Sequence, residues 1–184
     1  ACGGGSDSGA GTTLPTTPTV PAVPPTAPEA SRFLAQASMG TTREQITRVQ
    51  TTGYRGWIDE QFAMAQSSSR WDWLVAGGHN AVDKKFSESG ADACLWVKMI
   101  TSPDTLRQRI TLALSEILVT AIGSFSGGWN AFTGAAYMDM LEANAFGNYR
   151  DVLRHVALSP VMGDYLNGVN NDKAAPNENF PREL

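Results

Sequence analysis

The sequence predicts an all-α protein, an irregular multi-helix bundle preceded by a disordered stalk rich in Gly, Ser, Thr and Pro. Two observations predict the bundle: apolar residues recur at helical spacing from residue 29 onward, and no alternating run of β-branched residues is long enough to build a sheet. A third observation predicts the stalk. Residues 3–28 contain Gly/Ser and Thr/Pro runs without Lys or Arg, a composition that cannot bury enough apolar surface to fold.

The chain therefore divides after residue 28. Residues 1–28 are expected to act as a tether, because a Gly-rich chain is flexible and each proline favours extended polyproline backbone. Residues 29–184 form the helical domain, and the hydrophobic share of the whole chain, 42%, is ordinary for a protein with a core.

The first helices follow from caps and apolar spacing. "EASRFLAQA" begins the domain. "TTREQITRVQTTG" begins at a threonine cap and stops at Gly53, and "YRGWIDEQFAMA" follows it, so the two predict a helical hairpin. "ADACLWVKMITS" is the next helix, in which Cys94 is expected to be a small buried thiol.

The segment "PDTLRQRITLALSEILVTAI" is expected to be the longest and most buried helix, with Ser102 as its cap and Pro103 at its first position. Its apolar stripe comprises Leu106, Ile110, Leu114, Ile117 and Ala121. Arg109 and Glu116 lie two turns apart on nearly the same face. Because a buried carboxylate must be paired or protonated, we predict a buried ion pair between Arg109 and Glu116.

A glycine-rich segment, residues 123–134, is expected to be a loop. Trp129 within it could stack on a glycan or a partner, or fold back onto the core. The helices "AAYMDMLEANAF", "NYRDVLRHVALS" and "PVMGDYLNG" follow, and Asn148 caps the second of these, which is expected to bury Tyr149. The polar segment after them ends in a helix that begins near Asn177.

Charge and composition exclude several classes of function. The net charge is -4 and no basic stripe is present, which argues against nucleic-acid binding. The longest apolar run, "LALSEILVTAI", is interrupted by Glu116 and is shorter than the roughly 20 residues that a membrane span needs. The two cysteines and two histidines match no zinc-ligand spacing, and no metal or cofactor is predicted.

The opening residues predict a lipid anchor. A small residue, Ala1, precedes Cys2, and a long polar tether follows it, as in lipoproteins that are acylated at the cysteine. The alternative is a chance cysteine. Gly3 resembles the signal for sorting to the outer membrane, so we expect a lipoprotein of the bacterial cell envelope, or a secreted protein, that contacts the membrane only through Cys2.

A cluster of amides and carboxylates near the end of the sequence is the main candidate site. Such groups could line a pocket for a sugar or peptide, or they could close turns and cap helices. No EF-hand spacing supports calcium. The candidate ligand-binding residues are Asn144, Asn171, Asp172, Asn177, Glu178, Asn179 and Trp129.

Two pairs of titratable residues allow acid/base chemistry. His155 follows Asp151 by one turn, but a histidine at a helix C-terminus more often contacts the final carbonyls. Asp139 and Glu142 are also one turn apart, although glycosidase chemistry would need carboxyl groups that face each other across a cleft. We therefore predict structural roles for these residues and no catalytic residue.

Four segments together resemble a bacterial family, the domain of unknown function 1800: "ASRFLAQASMGTTREQI", "LRQRITLALSEILV", "NAFGNYRDVLRHVALSPVMGDYLN" and "NNDKAAPNENFPREL". The resemblance implies a secreted or envelope-located helical protein, often encoded beside a second secreted family, and it implies no established activity. Members of the family usually continue past the block that matches "PNENFPREL". We therefore expect residues 29–184 to be the N-terminal part of a longer domain.

These observations favour an envelope-anchored helical module that binds or assembles with a secreted or envelope protein partner. The alternative is a hydrolase that acts on polymers of the cell envelope or the extracellular space. A hydrolase needs a pocket with carboxylates or a nucleophile of perturbed pKa, whereas a binding module needs an exposed apolar or aromatic patch with a polar rim.

Overall fold

A computed structural model describes residues 23–123, 125–169 and 171–183. Within these ranges all regular secondary structure is helical, which confirms the all-α prediction. Cys2 and residues 1–22 of the predicted stalk lie outside the described residues. The helices are α1 Ala27–Ala37, α2 Arg43–Ala63, α3 Arg70–Ala76, α4 Ala91–Thr101, α5 Thr105–Ile117, α6 Asn130–Ala143, α7 Tyr149–Ala157, α8 Pro160–Tyr165 and α9 Asn179–Glu183, with a 3₁₀ turn at Val82–Lys84.

The helical domain begins earlier than the predicted boundary at residue 29. The side chain of Glu29 accepts a hydrogen bond from the Thr26 backbone N–H at 2.8 Å, so the first turn of α1 already includes Ala27 and Pro28. Pro25 is buried, and its carbonyl accepts a hydrogen bond from Gln50 Nε2 at 3.3 Å. Proline favours the first turn of a helix, where its missing N–H costs nothing, and that preference outweighs the stalk-like composition here.

Helix α2 is broken at Gly53, as the sequence predicts. Gly53 has φ 71° and ψ 171°, a conformation that only glycine adopts readily. The break redirects the chain so that residues 43–52, the first arm, and residues 54–63, the second arm, approach each other. Arg48 Nε donates to Glu60 Oε2 at 3.0 Å, although a straight helix would separate residues twelve apart by roughly 18 Å.

In the part of the chain that the structure describes, three clusters of buried apolar side chains form the core. The first joins α1 to both arms of α2 through Leu34, Val49 and Trp57. The second lies between α3, α4 and α6, and the third between α6, α7 and α8, with Met99 of α4 and Leu118 at its edge. Because α6 contributes to two of the three clusters, it is the central helix of the domain.

The prediction that α5 is the longest and most buried helix is wrong. Its fully buried side chains are polar, Thr105, Gln108 and Thr111, while Ile117 is 67% exposed. The helix begins after Asp104, not at Pro103, and α6 begins at Asn130, inside the segment expected to be a loop. The apolar stripe of α5 is only half-buried, because the buried face of this helix meets a group of charged side chains.

That group, here called the buried charge cluster, consists of Arg70 of α3, Lys98 of α4, and Asp139 and Glu142 of α6. Arg70 Nη1 lies 3.0 Å from Asp139 Oδ1 and 2.5 Å from Glu142 Oε2. Lys98 Nζ lies 2.9 Å from the same Glu142 oxygen. Two positive and two negative charges therefore balance inside the protein and fix three helices relative to one another.

Polar side chains of α5 extend the buried charge cluster. Gln108 Oε1 accepts a hydrogen bond from Arg70 Nη2 at 3.0 Å, and Gln108 Nε2 donates to Asp104 Oδ1 at 3.3 Å. Asp104 also lies 3.4 Å from the Nε of Arg107. This arrangement explains why α5 buries the amide of Gln108.

The predicted buried ion pair between Arg109 and Glu116 is wrong, since both side chains are exposed. Seven residues along a helix span roughly 10 Å, which is too far for direct pairing, and the face that carries them is in solvent. Among the described residues the fully buried acids are Asp104 and Glu142, and the main partner of Glu142 is Arg70. Tyr149, expected on the buried side of α7, is 53% exposed, while Val152 and Val156 fill that side.

Candidate binding surface

Helix α4 is held firmly on one side. Ala91 and Cys94 pack into the cluster shared with α3 and α6, and Met99 packs into the cluster of α6, α7 and α8. Lys98 reaches Glu142 in the buried charge cluster. These contacts fix both the position and the rotation of α4.

The opposite side of α4 is apolar and exposed. Trp96 is 57% exposed, Val97 40% and Ile100 73%, and Ala93 lies on the same side. Residues at these spacings share one face of a helix. We call Ala93, Trp96, Val97 and Ile100 the α4 face. Single exposed apolar residues are ordinary, but four of them together on one face of a helix, here flanked by the exposed Asp92 and Thr101, form a patch of the kind that marks an interaction surface.

A groove adjoins the end of the α4 face. It has a volume of about 1150 Å³ and runs between the two arms of α2 and the turn from α4 to α5. Ile100 belongs to both surfaces, so the apolar face passes directly into the groove. The side chains that matter for its chemistry are Arg48, Thr51, Glu60, Met64, Ile100 and Ser102.

Polar and charged side chains line part of the groove, beside apolar surface that includes Trp57, Met64 and Ile100. Glu60 accepts a hydrogen bond from Arg48 and raises the pKa of that guanidinium above its ordinary value. The pair crosses between the arms of α2 and is largely in solvent, where screening by water and salt leaves it little net contribution to stability. The groove therefore supplies a polar rim beside the apolar α4 face.

The structure separates two of the predicted ligand-binding residues from the rest. Trp129 is half-buried and packs edge-on against Phe132, with 6.0 Å between ring centroids. It adopts the left-handed backbone conformation, φ 59° and ψ 41°, immediately before α6. Asn144 Nδ2 donates to the Met140 carbonyl at 2.8 Å and so caps the end of α6. Both side chains contact their own helix or the core.

The remaining predicted residues make turn-closing and capping contacts. Asn171 Oδ1 accepts from the Asn177 backbone N–H at 2.7 Å, and Asp172 Oδ1 accepts from two backbone N–H groups that follow it. Asn177 Oδ1 accepts from the N–H of Asn179 at 2.9 Å, and Glu178 lies 3.7 Å from Arg182. Ligand binding by these residues stays a prediction.

A small cavity does bring two of them together. Asn171 and Asn177 line a space of about 250 Å³ with Asp164 and Asn167. Asp164 accepts hydrogen bonds from the backbone and side chain of Ser126, at 3.2 and 3.1 Å. Two of the residues that line this cavity, Asp164 and Asn171, therefore already accept hydrogen bonds from neighbouring loop residues.

The other titratable candidates have structural surroundings. His155 and Asp151 are exposed. His79 is half-buried and stacks on Trp73, with 5.9 Å between the rings. Burial raises the pKa of the Cys94 thiol to about 11, the opposite of what a nucleophilic thiolate needs. Among the described residues, no cluster of three or more His, Cys, Asp or Glu side chains could hold a metal ion.

Sequence reasoning missed helix α3 and its Arg70, whose side chain is completely buried. A local signal was present. Ser69 Oγ accepts from the Asp72 N–H at 3.0 Å, a capping contact at the start of "RWDWLVA", and Gly77 ends the helix. The exposed face of α4 was missed as well, because an apolar segment alone suggests burial on every side.

Comparison with known proteins assigns the chain to a family. The family described as Protein of unknown function (DUF1800) matches residues 32–184. The chain belongs to this family. The DUF1800 match begins within α1 and includes both the α4 face and the residues of the buried charge cluster. No curated protein and no solved structure matches the chain. In the described ranges, no helix is long and apolar enough to cross a membrane.

Proposed function

We propose that this protein is a binding or assembly module that works with a secreted or envelope protein partner through the α4 face. The observation that carries the proposal is the contrast between the two sides of α4. One side is fixed by Lys98 and the core, and the other presents Trp96, Val97 and Ile100 to solvent. A rigid apolar face loses little conformational freedom on binding, which favours association.

The composition of the surface fits a protein partner. Interfaces typically combine an apolar centre, often aromatic, with a polar rim. The α4 face supplies the centre, and the adjoining groove with Arg48 and Glu60 supplies the rim. The area of three large side chains is well below the roughly 800 Å² that each partner contributes to a stable interface, so the partner must also contact the groove. We expect an amphipathic helix of the partner to lie on α4 and extend toward the groove.

The buried chemistry favours binding over the hydrolase alternative. Asp139 and Glu142 are engaged by Arg70 and Lys98, and the thiol of Cys94 stays protonated at neutral pH. Activity assays on envelope polymers, run beside the binding experiment below, are the direct test of the hydrolase alternative.

Substitutions on the α4 face test the proposal. Ile100→Ser and Trp96→Ser remove apolar surface from exposed positions, so the domain should keep its stability within about 0.5 kcal/mol. A partner captured from the native envelope should be purified and titrated against each variant by calorimetry. We expect each substitution to weaken binding about tenfold or more.

Leu158→Ser is the matched control, because Leu158 at the end of α7 is 70% exposed, close to the 73% of Ile100. It should leave the affinity unchanged. Equal affinities of the wild type and both α4 variants for the captured protein would overturn the assignment of this surface.

We propose further that the module is held at the bacterial cell envelope by a lipid on Cys2. The sequence around Cys2 supports this, because a small residue precedes it and a tether separates it from the helical domain. Fractionation of cells that express the native precursor tests it. A Cys2→Ser variant should leave the membrane fraction, and retention there would contradict the proposal.

A further inference from the structure

A second cavity opens where α4, α5 and α6 meet, away from the groove beside α2. Its volume is about 290 Å³. It reaches the core, because its walls include Tyr137 and Met138, which are 4% and 8% exposed. Asp92, in the first turn of α4, is an exposed part of the lining. We call this space the α4–α6 cavity.

The hydroxyl groups in the wall of the α4–α6 cavity face backbone carbonyls. Tyr137 donates its hydroxyl proton to the Leu118 carbonyl at 2.6 Å, and Ser115 donates to the Leu112 carbonyl at 2.7 Å. Thr120 donates to the Val161 carbonyl at 3.4 Å. Each hydroxyl has a single proton, so the short bonds of Tyr137 and Ser115 leave neither able to donate to a guest, and only the long Thr120 contact leaves a proton that a guest could compete for.

The apolar surface, hydrogen-bonding groups and charge of this wall determine which small molecules the cavity can bind. Leu95 and Met138 offer apolar contact, and the hydroxyl oxygens can still accept hydrogen bonds. A carboxylate in the cavity would find at most the Thr120 hydroxyl as a donor and would approach the negative charge of Asp92. A neutral or cationic head group that donates hydrogen bonds meets neither obstacle.

We propose that the α4–α6 cavity binds small molecules that combine an aromatic ring or a short alkyl chain with a neutral or cationic hydrogen-bond-donating head, and that it discriminates against carboxylates. The volume is sufficient, because an apolar cavity of about 150 Å³ already accommodates benzene. The apolar group lies against Leu95 and Met138, and the head lies toward Asp92. This site is separate from the proposed partner surface and does not depend on it.

Methionine methyl groups provide a local test. The sequence has six methionines, and three of them line different cavities: Met138 the α4–α6 cavity, Met64 the groove and Met162 a third cavity near α8. The full chain, labelled with ¹³C at the methionine methyl groups, should be titrated with benzyl alcohol, benzylammonium and benzoate. Benzyl alcohol and benzylammonium should shift the Met138 resonance saturably, and benzoate should bind at least fivefold more weakly.

Substitutions at Ser115 and Asp92 separate the effect of cavity filling from that of charge. Ser115→Leu places a larger apolar side chain in the wall and should abolish the Met138 shift. Ser115→Val adds less volume and should weaken it, which keeps the test valid if the leucine variant does not fold. Asp92→Asn should reduce the affinity for benzylammonium severalfold and leave that for benzyl alcohol unchanged, while Asp83→Asn, a charge change on the 3₁₀ turn, should alter neither.

Three outcomes would overturn the proposal. One is a saturable shift at Met64 or Met162 with none at Met138. Another is benzoate binding as tightly as benzyl alcohol. The last is undiminished binding in the folded Ser115 variants.

Discussion

Arg70 and Glu142 form an ion pair that is closed off from solvent, with Nη1 2.5 Å from Oε2 and both side chains at 0% exposure. The pair joins α3 to α6, and Lys98 of α4 contacts the same carboxylate oxygen at 2.9 Å. Asp139 supplies the second negative charge and also accepts a hydrogen bond from the Arg70 backbone N–H at 3.1 Å. One group of four side chains thus positions the helix that carries the α4 face.

Removal of Glu142 should destabilise the domain strongly. Glu142→Gln leaves Arg70 and Lys98 without one of their two balancing charges, and the loss of one partner from a buried pair costs about 3–5 kcal/mol. Urea unfolding followed by circular dichroism measures the free energy of unfolding. Glu116→Gln is the control, since Glu116 is exposed, and it should change stability by less than about 0.5 kcal/mol. Similar losses in the two variants would contradict the role given to the buried charge cluster.

Local signals made much of the helical fold predictable. The break at Gly53 and the cap at Asn148, whose side chain accepts from the Arg150 N–H at 2.9 Å, depend only on neighbouring residues. The buried charge cluster does not, because Arg70 and Glu142 lie 72 residues apart in sequence. The predicted pair of Arg109 and Glu116 is wrong because it depends on α5 being the most buried helix, whereas the face that carries both residues is exposed.

The same limit applies to the candidate site. The helix α4 was predicted correctly, but its apolar composition does not reveal which side the core will cover. That side is determined by Lys98 and Cys94, whose partners lie on α3 and α6. The amides and carboxylates from Asn171 to Asn179 were predicted as either a pocket or a set of turns, and the contacts that the structure adds are those of turns and caps.

Substitution of Gly53 should destabilise the hairpin of α2. Gly53→Ala forces a Cβ into backbone at φ 71° and ψ 171°, a conformation that costs a non-glycine residue about 1–3 kcal/mol. A continuous helix would relieve this strain but would separate Arg48 from Glu60. The free energy of unfolding should fall by this amount. Gly40→Ala, at a position with open space and no positive φ, should have little effect, and equal effects would argue against the kink as a specified feature.

The Cys94 thiol should resist modification in the native state. Burial raises its pKa from 9.0 to about 11, which lowers the thiolate fraction at pH 8 roughly 100-fold. A chain with Cys2→Ser isolates this thiol. Its reaction with a disulfide reagent at pH 8 should be at least about 100-fold slower than in the urea-unfolded chain, since only 2% of Cys94 is exposed. Comparable rates in the two states would show that the cluster between α3, α4 and α6 opens readily.

Tyr137 should make the free energy of unfolding fall at alkaline pH. Burial raises its pKa from 10.0 to about 12, so the unfolded chain loses the hydroxyl proton at a lower pH than the folded chain does. This contribution to stability is complete below pH 10 and is lost as the pH rises toward 12. Tyr137→Phe removes the titrating group together with the hydrogen bond to the Leu118 carbonyl, and the variant should be less stable at pH 7 by about 1–3 kcal/mol.

Between pH 9 and pH 11 the difference in free energy of unfolding between wild type and Tyr137→Phe should shrink by about 1 kcal/mol. Only the wild type has a Tyr137 hydroxyl that ionises more readily in the unfolded chain than in the folded one. Other groups that titrate in this range are common to both chains and cancel in the difference. Urea unfolding at several pH values measures it. A difference that stays constant from pH 9 to pH 11 would mean that Tyr137 ionises as readily in the folded domain as in the unfolded chain, and hence that water reaches its hydroxyl through the α4–α6 cavity.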